Sequence, residues 1–343
     1  MKFKIIEDFK SEIIHHYDSD NKNIIKSTGN YFSIKFNGQE NSFSLPVKNR
    51  FLIRFRLFRR LLRYDKSNAV FNWRRDGVIV LYQSKIYFID LKENKISFID
   101  NLKQCRNVLH GGIAVKSDGI FFGEYGHNPN RKPVPIWKSN DDGRSFEVVK
   151  YISENNIKHI HGVYVDKFSN SLWIVTGDFN GECFLVESLD AKFLNLKWYG
   201  DGSQKWRPIS LFFTPNKIIW AMDSPLEKVH IQSFDRITKS ITQGQYFPGP
   251  VWYSKQFESG DALIQTSVEI GKEVKSKYAI VFYSKDLVDW KEVVRFKKDI
   301  LPMPYFKFGV VAFAEGKQTY KDFALFGEGL DNFDGMAIRA SLD

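Results

Sequence analysis

The pattern of apolar and polar residues predicts a chain built almost entirely of short β-strands. From residue 68 onward, runs that alternate apolar and polar positions are separated by Gly, Asn, Asp and Pro, as expected for strands joined by tight turns. The runs fall into groups of four, the first with strands near 70–72, 78–82, 86–90 and 95–99. The predicted groups are 68–100, 108–152, 159–201, 206–247, 250–298 and a last group from 305 to the C-terminus.

An aspartate recurs at the end of the third predicted strand of each group. The six copies are Asp90, Asp141, Asp190, Asp235, Asp286 and Asp343. All except Asp90 are part of a Ser-x-Asp sequence. Neighbouring copies are 45 to 57 residues apart. A repeat of this length in a chain of short strands is typical of a β-propeller, in which each repeat forms one blade. We therefore predict an all-β fold, a six-bladed β-propeller of four-stranded antiparallel blades.

The last group offers only three strands before Asp343, so its blade needs a fourth strand from elsewhere. An unpaired sheet edge is a liability for aggregation. We predict that an N-terminal strand, either 2–6 or 31–36, completes this blade. The predicted parts of the single domain 1–343 are closing strands in 1–48, an insertion at 49–64 and six blades in 68–343. A seventh blade built from residues 1–48 remains open as the alternative.

The fullest of these turns, 139–146, has the sequence Ser-Asn-Asp-Asp-Gly-Arg-Ser-Phe. It resembles the Asp-box turn, or BNR repeat, of sialidase-like propellers, and 284–290 is a second copy without the glycine. In such a turn the carboxylate binds backbone N–H groups, the glycine takes a positive φ and the aromatic residue packs between blades. The resemblance implies a β-propeller of the kind found in sialidases.

Composition indicates a large aromatic core and an anionic partner. The 343 residues include 31 Phe, 15 Tyr and 8 Trp, and 43% are hydrophobic. The two cysteines, Cys105 and Cys183, do not indicate a disulfide framework. Because no secretion signal or membrane-spanning run is recognisable, we predict a cytoplasmic protein. The formal charge of +10 suits an acidic glycan, a phosphate group or an anionic lipid surface. No nucleic-acid partner is expected.

One stretch of the predicted insertion departs from the strand pattern. Residues 50–63 contain six arginines and no acid. Helical spacing would place four apolar residues of this stretch on one face, namely Phe51, Phe55, Phe58 and Leu62. Such a helix suits peripheral contact with an anionic membrane, here the inner membrane face. The alternative is a helix that packs on the propeller and leaves its arginines in solvent.

Candidate chemistry gathers at one face of the predicted propeller. In this fold, the loops that enter innermost strands open on the same face as the loops that follow second strands. The residues entering innermost strands are His110, His159, His161, Lys205, Arg207, Trp252, Tyr253, Tyr305 and Lys307. Those following second strands are Glu124, Tyr125, His127, Asp178, Glu182, Asp223 and Glu328. Four of the seven histidines belong to this set, which predicts a functional site on that face.

The individual residues allow more than one interpretation. His159 and His161 are two apart on a predicted strand, so their side chains share a face and suit two metal ligands or an acid–base pair. A structural pair bonded to backbone carbonyls is the alternative. One hypothesis is a divalent metal ion held by His110, His127, His159 and His161. The carboxylates could instead bond turn amides, Arg207 could pair with one of them, and the tyrosines could simply pack.

The histidine-rich face resembles that of propeller polysaccharide lyases, which act on sugars that contain uronic acid. The resemblance implies β-elimination, with a cation on the substrate carboxylate, a base for the C5 proton and an acid for the leaving oxygen. The implied roles are carboxylate binding by Arg207 and Lys205, proton removal by His159 or His161, and protonation of the leaving oxygen by Tyr125 or Tyr253. Further substrate contacts are assigned to His110, His127, Trp252 and Tyr305.

Two other functions remain open. A sialidase-like glycoside hydrolase would use two carboxylates on either side of the glycosidic bond, taken from Glu124, Asp178 and Asp223. A propeller without catalytic activity would use the same face to bind a glycan or a protein. Fold alone does not decide among these functions.

Overall fold

The computed structural model describes residues 1–48 and 51–343, and their strands form seven four-stranded antiparallel sheets. The chain is therefore an all-β, seven-bladed β-propeller, and the predicted fold class is confirmed. The blades number seven rather than six because residues 13–44 form a blade of their own. This is the arrangement that the sequence left open as the alternative.

The strands are numbered in chain order, β1 being Phe3–Asp8. Blade 1 contains β2 (Ile13–Tyr17), β3 (Ile24–Thr28), β4 (Tyr31–Phe36) and β5 (Gln39–Ser44). Blade 2 contains β6 (Ser67–Phe71), β7 (Gly77–Tyr82), β8 (Lys85–Asp90) and β9 (Lys95–Asn101). Blade 3 contains β10 (Ile113–Lys116), β11 (Gly119–Gly123), β12 (Val134–Ser139) and β13 (Glu147–Ile152).

Blade 4 contains β14 (His159–Val165), β15 (Leu172–Gly177), β16 (Cys183–Ser188) and β17 (Leu196–Gly202). Blade 5 contains β18 (Phe212–Phe213), β19 (Lys217–Ala221), β20 (Val229–Asp235) and β21 (Ile241–Phe247). Blade 6 contains β22 (Val251–Gln256), β23 (Ala262–Thr266), β24 (Tyr278–Ser284) and β25 (Lys291–Lys297). Blade 7 contains β26 (Val310–Phe313), β27 (Phe323–Glu328), β28 (Met336–Leu342) and β1. The helices are α1 (Arg56–Leu62), α2 (Met303–Phe306) and the 3₁₀ turns Leu52–Arg54, Glu154–Asn156 and Gln204–Trp206.

An N-terminal strand completes blade 7, as predicted. Strand β1 pairs antiparallel with β28, from Phe3 opposite Leu342 to Asp8 opposite Ile338. Of the two candidates, the strand near 2–6 is the one that pairs, whereas 31–36 is β4 of blade 1. The pairing gives β28 a hydrogen-bonded neighbour on its outer side, so this edge of the sheet is not left open.

The turn that follows β12 has the chemistry expected of an Asp-box. Asp141 Oδ1 accepts a hydrogen bond from Ser145 N at 2.8 Å, and Ser139 Oγ accepts one from Gly143 N at 2.7 Å. Gly143 has φ 97°, and Phe146 is buried in an apolar cluster between blades 2 and 3. Four other aspartates each bind a backbone N–H group of their own turn in the same way, namely Asp90, Asp190, Asp235 and Asp286. The recurring aspartates therefore stabilise the turn between the third and fourth strands of their blades.

The chain divides into two compact units. Unit 1 comprises Met1–Ser67, Pro225–Val229 and Gln245–Asp343, and unit 2 comprises Asn68–Ser224 and His230–Gly244. In unit 2 the apolar core lies between neighbouring blades, because inner strands are apolar on both faces. Trp173 of blade 4 packs with Phe234 of blade 5, for example.

The stretch that the sequence predicts as one basic helix belongs to unit 1. Arg50 lies outside the described residues, and the remainder forms the 3₁₀ turn Leu52–Arg54 followed by α1. The two are separated at Phe55, whose backbone is extended, so the stretch is not one continuous amphipathic helix. Within the residues that the structure describes, no helix is long and apolar enough to cross a membrane.

Candidate functional site

Two buried imidazoles stand side by side at the start of β14, the innermost strand of blade 4. His159 and His161 are 2% and 1% exposed, and their ring centroids are 5.1 Å apart. The pairing of β14 with β15 shifts register between Ile160 and Gly162, so a β-bulge lies at His161. Bulges bend a strand locally and change the direction of a side chain. The two rings nevertheless converge, as the spacing in the sequence predicted.

Backbone carbonyls fix the orientation of both rings. His159 Nδ1 lies 2.9 Å from Gly126 O, and His161 Nδ1 lies 2.7 Å from Pro208 O. A carbonyl oxygen can only accept, so each Nδ1 carries the proton and donates it. In a neutral ring the other nitrogen, Nε2, then has a lone pair and no hydrogen. The structure thus presents two Nε2 atoms as acceptors or as metal ligands.

Both Nε2 atoms face the same carboxylate oxygen. Asp178 follows β15, the second strand of blade 4, and its Oδ1 lies 3.1 Å from Nε2 of His159 and 3.1 Å from Nε2 of His161. Two nitrogen lone pairs and a carboxylate oxygen at this separation repel one another. A positive charge among the three atoms, either a proton on an imidazole or a bound cation, would relieve this repulsion.

Two cationic side chains complete the surroundings of Asp178. Arg207 Nη2 lies 3.1 Å from Asp178 Oδ1 and 3.1 Å from Asp223 Oδ2. Lys158 Nζ lies 2.7 Å from the other oxygen, Asp178 Oδ2. We refer to His159, His161, Asp178, Arg207 and Lys158 as the Asp178 cluster. All of its members belong to unit 2.

A hydrogen-bonded support holds the Asp178 backbone in place. Its carbonyl oxygen accepts from Gln204 Nε2 at 3.0 Å and from Arg207 Nη1 at 2.8 Å. Gln204 is fully buried, and its Oε1 accepts from Ser224 Oγ at 2.7 Å. Buried polar groups whose partners are all in place hold one geometry. The position of the Asp178 carboxylate is therefore set by residues of blades 4 and 5.

The electrostatic environment keeps Asp178 ionised. Burial by itself raises the pKa of this carboxyl, but its contacts with the imidazoles of His159 and His161 and the charge of Arg207 hold the pKa far below its usual value. For His161, burial lowers the pKa of the imidazole, and the bond to Asp178 offsets only part of this effect. A neutral ring with a free Nε2 lone pair is thus favoured at His161.

The donor set fits a transition-metal ion. His159, His161 and Asp178 offer ligand atoms that all lie within 4.8 Å of one another. Two ligands about 2.1 Å from one ion and about 90° apart lie about 3.0 Å from each other, close to the 3.1 Å measured here. Metal-binding histidines usually donate their other ring N–H to a carbonyl or carboxylate, as both do here. Three protein ligands would leave positions for substrate, as in catalytic sites.

Two aromatic residues border the cluster. The Tyr125 ring centroid is 4.1 Å from that of His159 and 5.7 Å from that of His161. Phe179, next to Asp178 in sequence, is 48% exposed. Its ring lies 5.3 Å from Lys158 Nζ and 5.5 Å from Arg131 Cζ. An exposed aromatic face between two cations suits a planar or ring-shaped anion.

Other predicted site residues of unit 2 lie outside this cluster. Glu124 is fully buried, and its carboxylate accepts from Lys103 N at 2.7 Å and from Trp137 Nε1 at 2.8 Å. Lys205 Nζ pairs with Asp201 Oδ2 at 2.9 Å on the surface. Two histidines proposed as metal ligands, the buried His110 and the exposed His127, do not belong to the ligand group found among the described residues.

Three further predicted residues belong to unit 1. Trp252 donates from Nε1 to Glu269 Oε1 at 3.0 Å and packs edge-on against Tyr253 at 6.1 Å. Tyr253 is buried, whereas Tyr305 in α2 is 64% exposed. Their predicted roles in catalysis and substrate binding stay predictions.

Sequence reasoning missed three residues of the site. Lys158 stands directly before His159, and Phe179 directly after Asp178, so their positions beside predicted residues were a usable signal. Gln204 precedes Arg207 by three residues, within one 3₁₀ turn. An amide there carries no charge and follows no strand period, so nothing in the sequence pattern indicated its role.

No family model and no curated protein matches this chain. Solved structures resemble it in fold. The extracellular domain of a putative one-component system from B. thetaiotaomicron has a TM-score of 0.59 at 11% identity, with 99% of this chain and 40% of that chain covered. An oligogalacturonate lyase from Vibrio parahaemolyticus has a TM-score of 0.52 at 9% identity, with 99% and 96% covered.

A third structure, an oligogalacturonate lyase in complex with manganese, has a TM-score of 0.51 at 9% identity, with 100% of this chain and 96% of that chain covered. This chain thus spans about 40% of the length of the extracellular domain and nearly the full length of the two lyases. At these identities the similarity shows the β-propeller fold alone. Cytoplasmic location stays a prediction.

Proposed function

We propose that this protein is a metal-dependent lyase that cleaves acidic oligosaccharides containing uronic acid. The observation that carries the proposal is the convergence of two carbonyl-anchored imidazoles on Asp178 Oδ1 at 3.1 Å, which a positive charge at its centre would stabilise. The fold is shared with oligogalacturonate lyases, one of them in complex with manganese. The proposal has a second, broader part, which is that this propeller resembles those of sialidases. The hydrogen bonds of the Asp141 turn, which are those of an Asp-box, support it.

The residues of the cluster divide into two roles. His159, His161 and Asp178 would hold the cation, rather than act as bases, because their reactive atoms all point at one place. A divalent cation bound there would draw electron density from the substrate carboxylate and so acidify the neighbouring C5 proton. Lys158 and Phe179 lie beside the cluster, where an ammonium group and an aromatic face would bind the acidic sugar.

Proton transfer is assigned to Tyr125, which packs against both imidazoles. As a phenolate, Tyr125 would take the C5 proton. The electron pair of the broken C5–H bond forms the C4–C5 double bond, while the C4–O bond breaks and its pair leaves with the oxygen. The leaving oxygen would then receive the proton from Tyr125, which restores the phenolate. General acid–base catalysis of this kind accelerates a reaction by about 10²–10⁴-fold.

The hydrolase alternative has weaker support. A glycosidase needs two accessible carboxyl groups beside the bond, but Glu124 is 0% exposed and Asp223 is 2% exposed. Glu124 is committed to backbone amides and Asp223 to Arg207. A propeller that binds an acidic glycan without cleaving it uses the same cluster, so turnover has to be measured directly.

The test combines calorimetric titration with Mn²⁺ and an ultraviolet assay for the new C4–C5 double bond. Substrates are oligogalacturonides, other uronate-containing oligosaccharides and a neutral oligosaccharide as control. We expect Mn²⁺ binding, and turnover of an acidic substrate that stops with a chelator and returns with Mn²⁺. His161→Ala should abolish binding of the ion, while the matched control His127→Ala should keep it.

Tyr125→Phe separates binding from chemistry. This variant should bind Mn²⁺ as the wild type does and lose about 10²-fold or more in turnover. The control Tyr151→Phe, on the exposed outer strand of blade 3, should keep both Mn²⁺ binding and turnover. Ion binding without turnover of any acidic substrate would replace the lyase by a binding protein. No ion binding by the wild type would refute the metal centre itself.

A further inference from the structure

The short helix α1 in unit 1 turns its arginines inward. Arg56, Arg59 and Arg60 lie at positions i, i+3 and i+4, which share one face of a helix. Each meets a carboxylate from a distant part of the chain, and the partners are Asp334, Glu12 and Asp299 respectively. Arg59 and Arg60 are buried. These three of the six arginines that the sequence assigned to a membrane surface are therefore structural.

The opposite face of the same segment is apolar and exposed. Five large side chains there are exposed by 39–68%, namely Phe51, Phe55, Leu57, Phe58 and Leu61. Their three aromatic rings form a row, with centroids 6.0 Å apart between the first pair and 6.2 Å between the second. We refer to these five residues as the apolar patch.

Exposed apolar side chains are also found on α2, which is tied to α1. Arg60 Nη2 donates to Phe306 O at 2.8 Å. Tyr305 of α2 is 64% exposed, and Ile300 just before α2 is 96% exposed. Groups of exposed apolar side chains mark sites of interaction with a protein or a membrane.

The orientation of α1 is the reverse of that usual for an amphipathic helix on a protein surface. Ordinary packing would place the leucine and phenylalanine side chains inside and the guanidinium groups in water. Here desolvated arginines are retained inside by Glu12, Asp299 and Asp334, and the apolar face is held outside. Ion pairs to three separate segments therefore fix the direction in which the patch points.

The charge around the patch favours one kind of partner. Residues 41–64 contain no acid. Three of their arginines are neutralised internally, while Arg54, within the segment of the patch, and Lys48, three residues before Phe51 in the sequence, are exposed. An apolar face with exposed cations and no exposed carboxylate in its own segment matches the boundary between the head groups and acyl chains of an anionic bilayer.

We propose that the apolar patch docks this protein on an anionic membrane surface. Phe51, Phe55, Phe58 and the two leucines enter the interface, and Arg54 and Lys48 meet the lipid head groups. The inward arginines take no part in lipid binding; they hold α1 in place. This contact is independent of the Asp178 cluster and of the reaction assigned to it.

The test is co-sedimentation with vesicles of equal parts phosphatidylcholine and phosphatidylglycerol, compared with phosphatidylcholine alone. The wild type should bind the anionic vesicles, less strongly at high salt. In the patch variant, Leu57→Gln, Phe58→Gln and Leu61→Gln are combined, since glutamine keeps helix propensity. Its partition coefficient should fall by about tenfold or more.

The control variant combines Leu194→Gln, Ile237→Gln and Val288→Gln, three apolar residues that are 63–84% exposed in other turns. It should bind vesicles as the wild type does. Arg54→Gln should lower binding to the anionic vesicles by about fivefold. Thermal melts check that all variants are folded.

Three outcomes would overturn the proposal. The wild type fails to sediment with either kind of vesicle, or it binds neutral and anionic vesicles alike, or the patch variant binds as well as the control. Size-exclusion chromatography supplies a fourth: self-association of the wild type that the patch variant loses would make the patch an interface between two copies.

Discussion

Two clusters of buried charge, one in each unit, are built at equivalent strand positions. In unit 1, Lys307 and Lys66 precede the innermost strands β26 and β6, and Glu328 ends a second strand. With Asp65 these residues form what we call the Asp65 cluster. In unit 2 the corresponding positions hold the imidazoles and carboxylate of the Asp178 cluster.

The chemistry of the two clusters differs. Lys307 Nζ lies 2.7 and 2.8 Å from the two oxygens of Asp65, and Lys66 pairs with Glu328. Every ammonium group there donates to a carboxylate, so the ion pairs are complete within the chain. In the Asp178 cluster two of the partners are imidazoles whose Nε2 atoms accept. Histidine instead of lysine at the innermost strand thus replaces a site of complete ion pairs with one whose two Nε2 atoms can bind a proton or a cation.

The largest expected effect is the loss of stability when the Asp65 cluster is broken. Asp65→Asn leaves the Lys307 ammonium without its carboxylate in a buried position, so the free energy of unfolding should fall by about 3 kcal/mol or more. Denaturant titration measures this. The control Asp201→Asn removes an exposed partner of Lys205 and should cost about 0–1 kcal/mol. Equal small losses for both would mean that the Asp65 cluster does not stabilise unit 1.

A smaller effect, on Mn²⁺ affinity, should follow when a side chain is introduced next to His161 in the Asp178 cluster. A Cβ atom on Gly177 would lie 2.6 Å from Cε1 and 2.9 Å from Nε2 of His161. In Gly177→Ala the ring must move, and Mn²⁺ affinity should fall by about 10–100-fold, measured by calorimetry. Gly260→Ala is the control, because that glycine has φ +93° but open space around its Cβ position. Unchanged affinity in Gly177→Ala would exclude His161 as a ligand.

The smallest effect is a pH dependence of stability in unit 1. Burial, reinforced by the charge of Lys66, lowers the pKa of Lys307 to about 7 even though Asp65 raises it. In the unfolded chain a lysine has a pKa of about 10.4. Between these values the unfolded state binds more protons, so the free energy of unfolding should rise with pH.

The comparison is with Lys307→Met, which lacks this titration. From pH 7 to pH 8 the stability of the wild type should rise relative to the variant by about 1 kcal/mol. Denaturant titrations at several pH values in this range give the difference. A difference that stays flat, or that falls with pH, would mean that the Lys307 ammonium is not destabilised by burial.

Most blades could be predicted from the sequence because their turns share a chemistry. An aspartate that binds backbone N–H groups recurs in blades 2 to 6, so its spacing marked each of them. Blade 1 joins its third and fourth strands differently. There Asn37 and Gly38 have φ 49° and 86°, the pattern of a two-residue hairpin turn. Because blade 1 has no aspartate in this turn, the spacing of the aspartates did not reveal it.

The site was only partly predictable, for a related reason. Strand periodicity placed His159, His161 and Asp178 together, because each follows from the register of one blade. The orientation of α1 did not follow from its own sequence. Its arginines face inward because of Glu12, Asp299 and Asp334, which come from segments far away in the chain, and a helical pattern cannot show such partners.

The pairing of β1 with β28 has a consequence for how the protein is made. Ribosomes add about 5–20 residues per second, so β1 leaves the exit tunnel long before its partner has been synthesised. Four of its six residues are exposed in the folded protein. The charges of Lys4, Glu7 and Asp8 oppose pairing of the unpartnered strand with other chains. Blade 7 can be completed only after β28 has been translated. Until then β1 has no partner strand, and the sheet of blade 7 stays incomplete.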